Sequence, residues 1–195
     1  MDRSTRSEDN AFTRRGEAWS EATRLDQSAF RVRLGGPFQG HWLATLSNRL
    51  ADRHISIDHT HARLLSDEIW IAEFHLLALP GAPDLLIVDY IALAEAASSA
   101  QSTAFELDSH RLIESRDYGG TLMLTLEAAD TLGLLGSLLG ALADLGLQPL
   151  ELHIETRDGR AYDSLWLGAA GGAPPSTTTR EAAELLLARS RKVAS

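Results

Sequence analysis

Two histidines sit one residue apart in Asp58-His59-Thr60-His61. On an extended strand that spacing puts both imidazoles on one face, where they can chelate a metal ion. Asp67 or Glu68 could supply a third ligand. Motifs this short fix no geometry and exposed strand histidines are common, so no metal and no other cofactor is assigned. His153, between Glu151 and Glu155, also reads as part of a solvated strand face. Nucleophilic chemistry finds less. The chain has no cysteine, and its one lysine, Lys192, lies near the C-terminus. Gly136-Ser137 lacks the Gly-x-Ser-x-Gly spacing of a nucleophile elbow and falls inside a helix. Gly-x-Gly-x-x-Gly and the phosphate-binding loop are absent. With no nucleophile, base and orienting group brought together, no catalytic residue is assigned and a catalyst is not expected.

The elements that would position these groups follow from periodicity. Residues 1–28 are polar, with Leu25 their only aliphatic leucine, isoleucine or valine. They are expected to be disordered, or at most a loosely docked helix around 17–25. Ala29–Leu34 alternates as a half-buried strand, and Leu43, Leu46 and Leu50 follow at helical spacing within 41–54. Ile55–Leu65 and Glu68–Leu77 are strand-like runs about the turn Ser66-Asp67, an antiparallel hairpin. Asp84 can cap a helix running to about Ser98, and Thr103–Glu114 reads as a strand. The order β-α-β-β-α-β therefore spans 29–114.

The order then begins again. Thr121–Glu127 is a strand, and Asp130 is placed as N-cap of a helix over Leu132–Leu145 that ends at Gly146. Leu150, Leu152 and Ile154 alternate, and Asp158-Gly159 makes a hairpin turn to the return strand Ala161–Leu167. Thr178-x-x-Glu181 reads as a capping box opening a last helix to about Lys192. Gly40 lies fifteen residues before Ile55, and Gly133 fourteen before Leu147. The fold expected is α+β: two ferredoxin-like βαββαβ units with antiparallel sheets and helices on one face. The first unit takes 29–114 and the second 115–195, which lacks its last strand. That open slot calls for the N-terminal segment, the other unit or a second subunit, so a homo-oligomer is expected. Gly136 and Gly140, four apart on one helix face, suggest close packing there.

Composition limits the partners. The 195 residues carry 18 basic and 27 acidic side chains, a net −9, with 44% hydrophobic residues. The basic and acidic counts are 5 and 6 over 1–28, 6 and 11 over 29–114, and 7 and 10 over 115–195. No segment has a basic excess, so nucleic acid is excluded as a partner. The first twenty residues have no apolar run of a secretory signal. The most apolar window, Leu132–Leu150, is interrupted by Asp144, Gln148 and Pro149, so no membrane segment is read. Lack of cysteine is compatible with the cytoplasm, the compartment expected.

Residues 121–167 resemble an ACT domain, a small ligand-binding regulatory module. Asp130, Gly133, Leu134 and Leu135 match its Asp-x-Pro-Gly-Leu-Leu motif, and Leu145-Gly146 matches the end of its helix; Leu132 replaces the proline. Thr156 and Asp163 are similar to the variant at the C-terminus of bacterial nitrogen-sensing uridylyltransferases, whose tails carry tandem ACT domains. The first unit has only Gly35-Gly36-Pro37-Phe38-Gln39-Gly40 in place of the motif. The enzymatic portions of those sensors are absent, so their chemistry is not implied. The resemblance implies a tandem ACT-domain protein that senses a small metabolite, an amino acid being the expected class. The site implied is the loop Asp130, Thr131, Leu132, Gly133, Leu134 and Leu135, with Gly40 and a neighbouring strand at Ile55, Ser56 and Ile57. The physics suits it: unpaired amides at a helix N-terminus attract a carboxylate, Gly133 admits close approach, and Asp130 could meet an ammonium. The alternative is a ligand-free interaction or dimerisation module, and a metal-dependent enzyme at His59 and His61 is the third reading.

Overall fold

The computed structural model describes residues 16–65, 69–97 and 104–192, and its first element lies where the sequence reads as disordered. Trp19–Arg24 is a strand, β1, paired antiparallel with Ala29–Gly36, β2. The expectation for 17–25 is thus corrected. A backbone ladder and one aromatic order this segment, and neither shows in a count of aliphatics. The Trp19 indole lies on Gly35, where a Cβ would come within 2.4 Å of it. Arg24 adds a cation over the Phe30 ring at 4.7 Å and a 3.3 Å contact to Asp84. The expectation for residues 1–15 lies outside the described residues.

The chain continues through helix α1 (Trp42–Ala51), strands β3 (Ile55–Leu64) and β4 (Trp70–Ala78), and a short helix α2 (Tyr90–Glu95). Strands β5 (Ser109–Ser115) and β6 (Thr121–Ala129) lead to helix α3 (Leu134–Asp144). Strands β7 (Leu147–Arg157) and β8 (Arg160–Ala169) precede helix α4 (Thr177–Arg189). The strands form one continuous antiparallel sheet, β1-β2-β4-β3-β7-β8-β6-β5, where separate sheets were expected. Counted inward from either edge, the order is the same: β1-β2-β4-β3 and β5-β6-β8-β7. The seam is the β3–β7 ladder, with His61 opposite His153 at its middle. The slot beside β6 is filled by β5, which the sequence reading gives to the first unit. The missing strand therefore gives no ground for a homo-oligomer. Ser115, the position at which the second unit was expected to begin, ends β5 and pairs with Thr121.

Strand alternation sets which face is dry. Val32, Phe74, Thr60, Ile154, Asp163 and Leu126 follow one another across the register, and Val32, Phe74 and Thr60 are buried under the helices. Other ends of elements differ from expectation for local reasons. Asp84 accepts from Leu86 N but caps only a single turn, Leu85–Ile87, and Asp89 caps the six-residue α2 through Ala92 N at 3.0 Å. Ser98 and Thr103 lie outside the described residues, as do Ser66, Asp67 and Glu68. Ser176, not Thr178, caps α4, its hydroxyl accepting from Thr179 N at 3.1 Å. The Asp158-Gly159 turn has φ of 51° and 73°, the pair of positive values that a two-residue hairpin takes. No described helix is long and apolar enough to cross a membrane.

Candidate functional site

Between β6 and α3 the chain turns back over the end of the seam. The Asp130 amide donates to Gly159 O at 2.9 Å, tying this loop to the β7–β8 hairpin. Gly133 then takes a φ of 91°, a left-handed value that costs other residues a steric penalty, and becomes the N-cap of α3. No side chain caps this helix, which corrects the N-cap expected at Asp130. Leu134 N donates to Thr131 O at 3.0 Å, whereas the Leu135 and Gly136 amides make no bond back to the loop. The Asp130 carboxylate is met instead by Thr156 on β7.

The loop walls a narrow cleft enclosing about 430 Å³, part of it open to solvent. It brings together Asp130, Thr131, Leu132, Gly133, Leu134 and Leu135 with Ile55, Ser56 and Ile57, nine of the ten residues proposed from the sequence. Gly40 does not line it. Its backbone lies against the side chain of Gln148, whose Oε1 would be 2.3 Å from a Cβ. Gln148 is the second residue of β7, as Ser56 is of β3. Ser47 and Ala51 of α1 and Gly136 of α3, with Ile154, Thr156, Ala161 and Asp163, complete the lining.

Of the lining residues outside the site read from the sequence, Asp163 is the one with the most perturbed chemistry. It is 3% exposed, and its Oδ1 has no hydrogen-bond partner among the described residues. Burial pushes its carboxyl up to about 7; the Glu155 amide, which donates to it, works against this, and the nearby Asp130 charge adds to it. Asp130 is also raised, first by burial and then by Asp58, with the Thr156 hydrogen bond opposing. The signal for Asp163 was present in the alternation of β8: Ala161, Leu165 and Leu167 share its face, so an aspartate was due to point into the core. The cleft thus holds an uncapped helix N-terminus, positive by its dipole, and a pair of partly desolvated carboxyls.

The histidines lie on the opposite, wetter face of the sheet. His59 and His61 do not join. His59 contacts Asp58 at 2.6 Å and Glu155 at 3.7 Å and packs edge-on to His75. His61 stacks on His153 instead, ring centroids 4.3 Å apart, and Glu151 Oε1 reaches both rings. Trp42 and Trp70 are in the core, whereas Trp166 is on this open face, edge-on to His153, with Nε1 donating to Asp117 at 3.2 Å.

No family model matches the chain, and no curated protein does either. Among solved structures, the chain is similar to an aspartate kinase from Synechocystis, with a TM-score of 0.49 and 14% identity. The match covers 83% of this chain and 26% of that one, so the chain spans about a quarter of the kinase's length.

Proposed function

We propose that the chain is a non-catalytic regulatory module of ACT type that senses a small zwitterionic metabolite, an amino acid, in the cleft between α3 and β3. In this reading each half is a βαββαβ unit cyclically permuted to ββαββα, β1 and β5 taking the place of the usual last strand. The observation that carries the reading is Asp163, a buried carboxyl with an unpaired oxygen beside an uncapped helix N-terminus. Leaving such a group buried without a partner is costly. A ligand with an ammonium for Asp163 and Asp130, and a carboxylate for the Leu135 and Gly136 amides, satisfies both ends at once. The narrowness of the cleft favours a ligand of few atoms.

A thermal-shift screen of the twenty amino acids at millimolar concentration tests this. One or a few are expected to stabilise the protein, by about 2.7 kcal/mol at a hundred times Kd. Asp130→Asn is expected to remove the shift while leaving the unliganded melting curve in place. No stabilisation by any of the twenty would sink the reading in favour of a ligand-free interaction module. Binding should also release protons near neutral pH, because an ammonium beside Asp163 draws its carboxyl down from about 7. Calorimetric enthalpies measured in buffers of different ionisation enthalpy would then differ; identical values would place the ammonium elsewhere.

A further inference from the structure

The seam between the two halves carries a cluster that the cleft does not use. Four of the seven histidines, His59, His61, His75 and His153, lie on the open face of three adjacent strands, with Glu73, Glu151 and Glu155 among them. They border an open depression of about 650 Å³. At its border one trio converges: the donor atoms of His61, Glu151 and His153 all lie within 4.8 Å of one another. Glu151 Oε1 is 3.3 Å from His61 Nε2 and 2.7 Å from His153 Nε2. Zinc bonds of about 2.0–2.2 Å set neighbouring tetrahedral donors roughly 3.3 Å apart. One of these separations already has that value, and the other reaches it by a small opening of exposed side chains.

We propose that His61, Glu151 and His153 bind a divalent transition metal of the zinc class, a site that clasps β3 to β7 across the seam. Two imidazoles and one carboxylate select such a metal over magnesium or calcium, which take oxygen ligands. The surroundings hold the ligands in place. Glu151 is 17% exposed, whereas His61 and His153 are about half exposed (48% and 49%), so the fourth position faces solvent. The Trp166 ring edge braces His153, and Asp117 anchors Trp166. Because His61 comes from the first half and Glu151 and His153 from the second, the metal cross-links the one strand pair joining them.

The test uses the full chain stripped with chelator, then titrated with zinc in competition with a fluorescent zinc indicator. The expected result is one zinc per chain and a zinc-dependent rise in melting temperature. His61→Ala with His153→Ala is expected to weaken binding by more than about 100-fold, since loss of even a supporting group around a metal costs about 10–100-fold. Its zinc-free melting curve, matching that of the parent, shows that it folds. Glu151→Gln, nearly the same shape, is expected to weaken binding as well. His59→Ala with His75→Ala is expected to leave it intact. No binding at submillimolar zinc, binding that survives the His61/His153 change, or equal loss in both double variants each overturns the proposal.

Discussion

Replacing Asp163 by asparagine is expected to stabilise the protein at about pH 8 by about 1–3 kcal/mol, and to destabilise it by about 0.5–2.5 kcal/mol near pH 4. The unfolded carboxyl titrates at 3.8 and the folded one at about 7. Between those values the folded state keeps a proton that the unfolded state has released. Stability from this group is therefore complete below about pH 4, falls as pH rises through the window, and is gone above about 7. The interval corresponds to about 4 kcal/mol at most. Asparagine removes the charge but leaves an amide where Oδ1 has no partner, which returns about 1–3 kcal/mol of the gain. Urea unfolding of both proteins from about pH 4 to 8 reads this directly. The difference between the two curves should grow with pH, because the other titrating groups cancel. A flat difference would mean that Asp163 is solvated in the folded protein. If the cleft binds an ammonium, the same substitution weakens the ligand while strengthening the fold, the trade expected of a carboxyl kept for binding.

That Asp163 was not read as a site residue shows what the sequence displays and what it hides. Strand alternation and glycine placement gave the loop, α3, and both strand–turn–strand hairpins, because these depend on nearest neighbours along the chain. The ACT resemblance set Ile55–Ile57 beside Asp130–Leu135, and these residues line one cleft. The partners of β1 and β5 were hidden, because edge pairing depends on which slot is free in the assembled sheet. The Trp19–Gly35 contact that holds β1 has no local signature at all. The α3 cap was misplaced because Asp130 is an eligible capping residue by type, yet Thr156, 26 positions on, claims its carboxylate. Gly40 was included by analogy with Gly133. Nothing in the sequence near Gly40 reveals that Gln148, from the other half, occupies its space. The histidine trio was split between two motifs, each unremarkable alone. Only the antiparallel register of β3 on β7 sets His61 beside His153.

Gly136 is the position where the same register between halves should have its largest mechanical consequence. Gly136→Ala is expected to destabilise the protein by about 1–3 kcal/mol, although alanine favours a helix over glycine by about 1 kcal/mol. A Cβ at this point would stand 2.1 Å from Asn48 Oδ1 and 2.9 Å from the Asn48 backbone nitrogen of α1. The side chain of Asn48 can swing away, but its backbone can yield only if α1 and α3 separate. Gly140, one turn further along α3, has nothing within 4 Å of its would-be Cβ, and Gly140→Ala is expected to stabilise by about 0.5–1 kcal/mol. The two glycines, equivalent by spacing, thus divide into a contact and a free position. Combining Gly136→Ala with Asn48→Ala should recover only part of the loss, because the close backbone nitrogen remains. Full recovery would trace the whole cost to the Oδ1 contact, and a Gly136→Ala protein as stable as its parent would show that the helices do not pack at this distance. Since Ser47 and Ala51 of α1 and Gly133 and Gly136 of α3 line the cleft, the separation also widens it. A ligand held at both ends should therefore lose affinity in Gly136→Ala and keep it in Gly140→Ala, a contrast that a change in overall stability alone does not produce.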